Sequence, residues 1–222
     1  MTPEQKARVS IDALLVAAGW HVCNVSDANI HAATGVAIRE FPLNPGFGFA
    51  DYLLYVNGKA CGVIEAKKEG ATLTGVELQS SRYAQGLPAA LPAWRRPLPF
   101  VWESTGVETH FTNGLDPEPR ARSVFAFFRP ELLVQWLAYL PNPANGAAAQ
   151  ETPGTFLARM RSMPPLVTEW GAGGASYKLW PAQISAITNL EKSLAANKPK
   201  ALIQMATGSG KPFTSIGFTY RL

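Results

Sequence analysis

The sequence predicts a mixed α/β domain followed by the opening of a nucleotide-binding domain. Three observations predict it. Short apolar runs gathered around Asn57-Gly58 read as strands, and helical patterns bracket them on both sides. The composition turns to Pro, Asn, Ala and Gly over residues 141–154, which reads as a linker. Beyond it, an apolar run leads into Ala206-Thr-Gly-Ser-Gly-Lys211, a Gly-rich loop of the phosphate-binding pattern.

The elements follow in order. Thr2-Pro3-Glu4-Gln5 combines an N-cap, a proline for the first helical position and a capping-box partner. Val9, Ile11, Leu14, Leu15 and Ala18 then give a helical apolar stripe that Gly19 stops. Residues 20–25 and 36–41 read as strands, the second ending at Pro42. A Gly- and Asn-containing loop, 44–48, leads to a hairpin of two apolar strands between Asp51 and Lys67. Thr74-Gly-Val-Glu77 is a second capping box, and Gly86 is a plausible stop for the helix it opens. Residues 100–104 and 109–112 read as strands, and Pro130-Glu131 opens a helix through Leu140. Strands flanked by helices at both ends make a mixed α/β domain.

After the linker, 156–163 is a short amphipathic piece. A second loose stretch runs through Gly171-Ala-Gly-Gly174, and Tyr177 begins something new. A helix is expected over 181–196 and a short strand over 201–205, ahead of the Gly-rich loop. One strand and one helix start are too little to fold alone, so the chain is expected to be the N-terminal part of something larger.

With 47% hydrophobic and 16% charged residues, the 222-residue chain can build a sizeable core. A net charge of +4 permits an anionic partner without demanding one. Two cysteines, Cys23 and Cys61, make no disulfide framework and show no metal-ligand spacing. Cys61, inside a strand, reads as a small core residue. No secretory signal or membrane-length apolar run appears, so a cytoplasmic setting without a membrane partner is expected.

The hairpin carries the chemistry. Strand geometry puts Glu65 and Lys67 on one face and Ala66 on the other. Whether Asp51 joins them depends on the turn, because a one-residue slip reverses every side chain. A two-residue Asn57-Gly58 loop with no bulge sets Asp51 opposite Ile64, on the wrong face. A three-residue loop, 56–58, with Gly58 left-handed pairs Tyr55 with Lys59 and places Asp51 on the face of Glu65. The three-residue form is the expectation. Asp51, Glu65 and the Ala66 carbonyl would then offer Mg²⁺ the oxygen ligands it prefers. A bound divalent ion makes water acidic enough to attack phosphorus, and Lys67 can steady that water and the growing charge. Glu40, on the preceding strand, is a candidate further carboxylate, as is Asp12 on the first helix.

Arg39-Glu-Phe41, Phe49-Ala-Asp51-Tyr-Leu-Leu-Tyr and Gly62-Val-Ile-Glu65-Ala-Lys67-Lys together resemble the nuclease domain of the restriction (R, or HsdR) subunit of type I restriction-modification enzymes. That domain has the PD-(D/E)xK nuclease fold, with a mixed central sheet flanked by helices. Gln79-Ser-Ser-Arg-Tyr83 is similar to the Q-x-x-x-Y motif that follows the active lysine in this family. Four residues apart, Gln79 and Tyr83 share a helix face and would support the nuclease centre or contact DNA. Residues 102–111 and 125–131 resemble later segments of the family, so the likeness runs along nearly the whole chain.

The resemblance implies an endonuclease domain over 1–140, a linker region over 141–175 and the incomplete start of a RecA-like superfamily 2 helicase domain over 176–222. It implies Asp51, Glu65 and Lys67 as catalytic residues and Mg²⁺ as cofactor. Double-stranded DNA would be the substrate, and methylation (M) and specificity (S) subunits the partners. Leu179-Trp-Pro-Ala-Gln183 resembles the adenine-reading motif of the helicases. With Gln183, the residues Thr207, Gly208, Ser209, Gly210 and Lys211 would bind ATP through loop amides and the lysine. The family has Thr or Ser after the lysine, whose hydroxyl holds Mg²⁺, whereas this chain has Pro212. Nucleotide binding is therefore expected to be weakened. The competing expectations are a docking module with a decayed centre, or a nuclease-helicase of another defence or repair system. Asp51, Glu65 and Lys67 argue against the first, and the segments after Tyr83 against the second.

Overall fold

The computed structural model describes residues 3–73, 83–138, 155–172, 175–198 and 200–222. The chain divides into two compact units, residues 1–154 and 155–222. The capping box at Thr74, residue Gln79 and the linker 141–154 lie outside the described residues.

The first unit is a mixed sheet of seven strands in sequential order. They are β1 (His21–Asn24), β2 (Gly35–Pro42), β3 (Phe49–Val56), β4 (Lys59–Ala66), β5 (Phe100–Ser104), β6 (Thr109–Asn113) and β7 (Arg122–Val124). β1 and β2 are parallel, as are β4 and β5; the other neighbours are antiparallel. The strand β7, short and half polar, is an element that sequence patterning does not reveal.

Two apolar clusters cover the two faces of this sheet. On one face, helix α1 (Pro3–Ala17) and helix α2 (Pro130–Leu137) pack over Tyr52, Leu54, Ile64, Phe100 and Trp102. The buried stripe of α1 is Ala7, Ile11, Leu15 and Ala18, while Val9 is exposed. The stripe starts at Ala7, two residues before the expected Val9, because Ala7 continues the four-residue spacing back from Ile11. On the other face, Leu53, Tyr55, Val63 and Val101 pack under the segment that ends at Leu87 and Leu98.

A polar network anchors α1. Arg39 donates through Nε to both Asp12 oxygens at 3.1 Å, and the Tyr52 hydroxyl donates to Asp12 at 2.8 Å. Asp12 therefore has a structural partner on each of two strands and does not belong to the hairpin's carboxylate pair. Burial, followed by the Asp12 charge, raises the Tyr52 phenol and keeps it a neutral donor.

The second unit holds α3 (Phe156–Arg161), β8 (Glu169–Ala172), β9 (Ala175–Lys178), α4 (Pro181–Ala195) and α5 (Lys211–Arg221). Two expectations are corrected here. The stretch expected to be loose is an antiparallel hairpin, held by the cross-strand pair Trp170 and Tyr177 with ring centroids 6.0 Å apart. Residues 201–205 form no strand, for they find no ladder partner among the described residues and Leu202 is almost fully exposed. Among the described residues no helix is long and apolar enough to cross a membrane.

Candidate active site

The hairpin closes differently from the expected three-residue turn. Val56 pairs with Lys59, so the turn is the two-residue Asn57-Gly58, with both central residues at positive φ, 49° and 72°. Asn tolerates this conformation and Gly adopts it freely, which is why Asn-Gly favours the tight turn that matches strand twist. The Gly58 position also lacks room, since a Cβ there would stand 2.4 Å from the His31 ring.

The ladder then shifts. Tyr55 pairs with Ala60, but Leu54 pairs with Gly62, leaving Cys61 as the extra residue of a β-bulge. Leu53 faces Val63 and Tyr52 faces Ile64. One further step brings Asp51 opposite Glu65, on the same face. The bulge that joins the two carboxylates thus exists, but it lies in β4 rather than in the turn. Cys61 is fully buried, as its reading as a core residue requires, and apolar burial pushes its thiol up.

The two carboxylates are held in different ways. Asp51 Oδ2 accepts the backbone N–H of Ala66 at 2.8 Å. Glu65 is only 4% exposed, and its Oε1 accepts from Lys67 Nζ at 2.7 Å. Its Oε2 is buried with no hydrogen-bond partner among the described residues. Burial, less the effect of the Lys67 bond and with the Asp51 charge added, pushes the Glu65 carboxyl up to about 7. The side chain of Ala66 lies in the opposite cluster with Ile64 and Trp102.

Two residues join this pair from other elements. Arg8 of α1 reaches the cleft and forms ion pairs with both Asp51 and Glu40. Tyr83 is half-buried and lines a cleft of about 540 Å³ together with Arg8, Glu40, Phe49, Asp51 and Glu65. Glu40 therefore stands at the cleft as expected, but it faces a guanidinium. Sequence reasoning missed Arg8. Its spacing of four from Asp12 on the sheet-facing side of α1 is the only signal. Glu103 was missed as well. It is fully buried and pairs in register with Glu65 on the neighbouring parallel strand, and a lone acid in Phe-Val-Trp-Glu-Ser was the available signal.

Among the described residues no group of three or more His, Cys, Asp and Glu side chains is gathered as a metal site. Two opposed carboxylates, one with an unpartnered buried oxygen, nevertheless suit a hard cation that keeps most of its waters.

In the second unit, the Gly-rich loop places Gly210 at φ 77°, immediately before α5. Lys211 Nζ donates to the carbonyls of Met205 at 3.0 Å and Ala206 at 3.2 Å, across the mouth of the loop. Ser209 Oγ donates to the Ala206 carbonyl at 2.6 Å. Gln183 is buried beside the loop; its Oε1 accepts the Trp180 N–H at 2.9 Å, and a Cβ on Gly210 would meet its Nε2 at 2.5 Å. Thr207 and Gly208 complete the loop. Pro212 occupies the first turn of α5, and the nearest hydroxyl beyond it, on Thr214, is buried and donates to the Gly210 carbonyl.

Two family models match parts of the chain. Residues 27–106 match the family model for the second domain of the type I restriction enzyme EcoKI endonuclease subunit. Residues 176–222 match the model for the res subunit of type III restriction enzymes. The chain is 25% identical to the type I restriction enzyme EcoKI endonuclease subunit of Escherichia coli K12, over 99% of its own length and 21% of that protein's. It thus spans about a fifth of that relative. A solved fragment assigned to an HsdR subunit of a type I restriction enzyme from Vibrio vulnificus YJ016 is 20% identical, with a TM-score of 0.43, covering 100% of this chain and 38% of that one.

Proposed function

Starting from a chain similar to the N-terminal region of type I restriction endonuclease subunits, we propose that it carries the nuclease centre of such a subunit and the first part of its motor. The reaction is Mg²⁺-dependent endonucleolytic cleavage of double-stranded DNA, in a PD-(D/E)xK domain. The observation that carries this reading is the placement of Asp51 opposite Glu65, with Lys67 Nζ on the Glu65 carboxylate.

Each residue has a role that its surroundings support. Asp51 and Glu65, with the Ala66 carbonyl, would hold Mg²⁺, which supplies Lewis acidity at the phosphate and acidifies the attacking water. The Ala66 N–H fixes Asp51, so its carboxylate needs little reorganisation on binding. Lys67 holds Glu65 in place and puts a positive charge where the phosphate gains negative charge. Tyr83, on the cleft wall, orients the DNA backbone, and Gln79 is proposed to act beside it.

In the full protein, cleavage would be coupled to ATP-driven translocation, and target choice would rest with methylation and specificity subunits. Gln183, the 207–210 loop and Lys211 form the proposed ATP site. Pro212 removes the Mg²⁺-binding hydroxyl and weakens it. The test is plasmid cleavage by the full-length subunit assembled with those partners. Asp51→Asn and Lys67→Ala should each abolish Mg²⁺-dependent cutting; cutting at the parental rate in both would exclude this centre.

A further inference from the structure

We propose that Arg8 is a positioning residue that sets the metal affinity of the cleft by occupying Asp51 until a divalent cation displaces it. This rests on the metal-site reading above.

The Asp51 side chain is mostly buried, and its two oxygens are both engaged, one by the Ala66 N–H and one by Arg8. An uncompensated carboxylate there would be costly, and the guanidinium supplies the compensation. Burial opposes the Arg8 charge, but Asp51 and then Glu40 outweigh it and hold the guanidinium above its ordinary value. Arg8 is thus a fixed cation at the very oxygen a metal would use.

The second anchor shows that this placement is built. Glu40 lies within β2 yet has a φ of 48°, the left-handed region that a glutamate adopts only at a cost. In that conformation its carboxylate meets Arg8. The pair spans α1, β2 and β3, so Arg8 bridges elements 32 and 43 residues away. A planar guanidinium can bridge two carboxylates at once, which a lysine cannot do equally well.

A divalent ion on Asp51 Oδ1 would stand against the Arg8 charge. Metal entry must therefore break the Arg8–Asp51 contact, leaving Arg8 held by Glu40 at the cleft edge. The contact competes with the metal, and losing it should tighten metal binding.

Calorimetric titration of the chain with Mn²⁺ tests this. Arg8→Gln should bind Mn²⁺ roughly tenfold more tightly than the parent chain, within the range a partly buried ion pair carries. Glu40→Gln, which takes away the displaced guanidinium's second partner and one negative charge, should not tighten binding, and Arg8→Lys should fall between Arg8→Gln and the parent. If Arg8→Gln is too unstable to titrate, Arg8→Lys and the Mn²⁺-induced rise in Tm give the same comparison. Equal or weaker binding by Arg8→Gln, or tighter binding by Glu40→Gln, overturns the proposal while leaving the metal site standing. Undiminished binding by Glu65→Ala removes the metal from the cleft and overturns both.

Discussion

Asp51 and Glu65 face each other across the β3–β4 ladder because Cys61 bulges out of register, not because the turn is long. With the two-residue Asn57-Gly58 turn and no bulge, Asp51 would lie opposite Ile64 and point to the α1 face. One extra residue decides whether the hairpin presents two opposed carboxylates or two on different faces.

The residue that follows the bulge, Gly62, lies hard against the neighbouring strand β5. A Cβ there would stand 2.4 Å from the Phe100 carbonyl of the neighbouring strand, where no side chain fits. Gly62→Ala should destabilise the fold by about 2 kcal/mol, in the range of core overpacking. Urea denaturation measures it, and a change below about 0.5 kcal/mol, typical of surface sites, would contradict the packing argument.

Glu65 should impose a pH dependence on the stability of the metal-free chain. Its ordinary value is 4.5, and the fold pushes it up to about 7, so the folded state binds this proton more tightly than the unfolded state. Below pH 4.5 both states are protonated and Glu65 adds no penalty. The penalty grows as pH rises through 7 and is then fully present, on the order of 1–3 kcal/mol. Glu65→Gln removes the charge and keeps an acceptor for Lys67. Denaturation in EDTA should show the variant gaining on the parent between pH 4.5 and 7; parallel curves would refute the shift.

Pro212 should be the weak point of the Gly-rich loop if that loop binds ATP as proposed. It lies in the first turn of α5, and Thr214 is already bound to the Gly210 carbonyl. In the full-length subunit, Pro212→Thr should raise Mg²⁺-dependent ATP affinity about tenfold or more, as restoring a metal ligand does. Fluorescent-nucleotide titration reads the change. Equal affinity with and without the hydroxyl would show that the loop does not use it.

Much of this architecture is local and therefore legible in the sequence. The α1 helix, the strands β1 to β6 and the α4 helix follow from apolar periodicity and from caps, prolines and glycines at their ends. The nearness of Asp51, Glu65 and Lys67 is legible because all three lie at the open end of one hairpin. What could not be read depends on distant packing. Asn57-Gly58 suits either turn length, and the extra residue is placed in the β3–β4 ladder, beyond the turn. The Arg8 contact joins residues 43 apart and leaves little local trace. The β8–β9 hairpin hides behind a run of glycines, because its pairing rests on Trp170 and Tyr177 across the strands.

Where a divalent ion binds decides whether this cleft is the proposed nuclease centre. Anomalous diffraction from crystals of the chain soaked in Mn²⁺ locates it directly. The account predicts a peak between Asp51 and Glu65, lost in Glu65→Ala. A Mn²⁺ peak elsewhere, with this cleft empty and its fold intact, would contradict it.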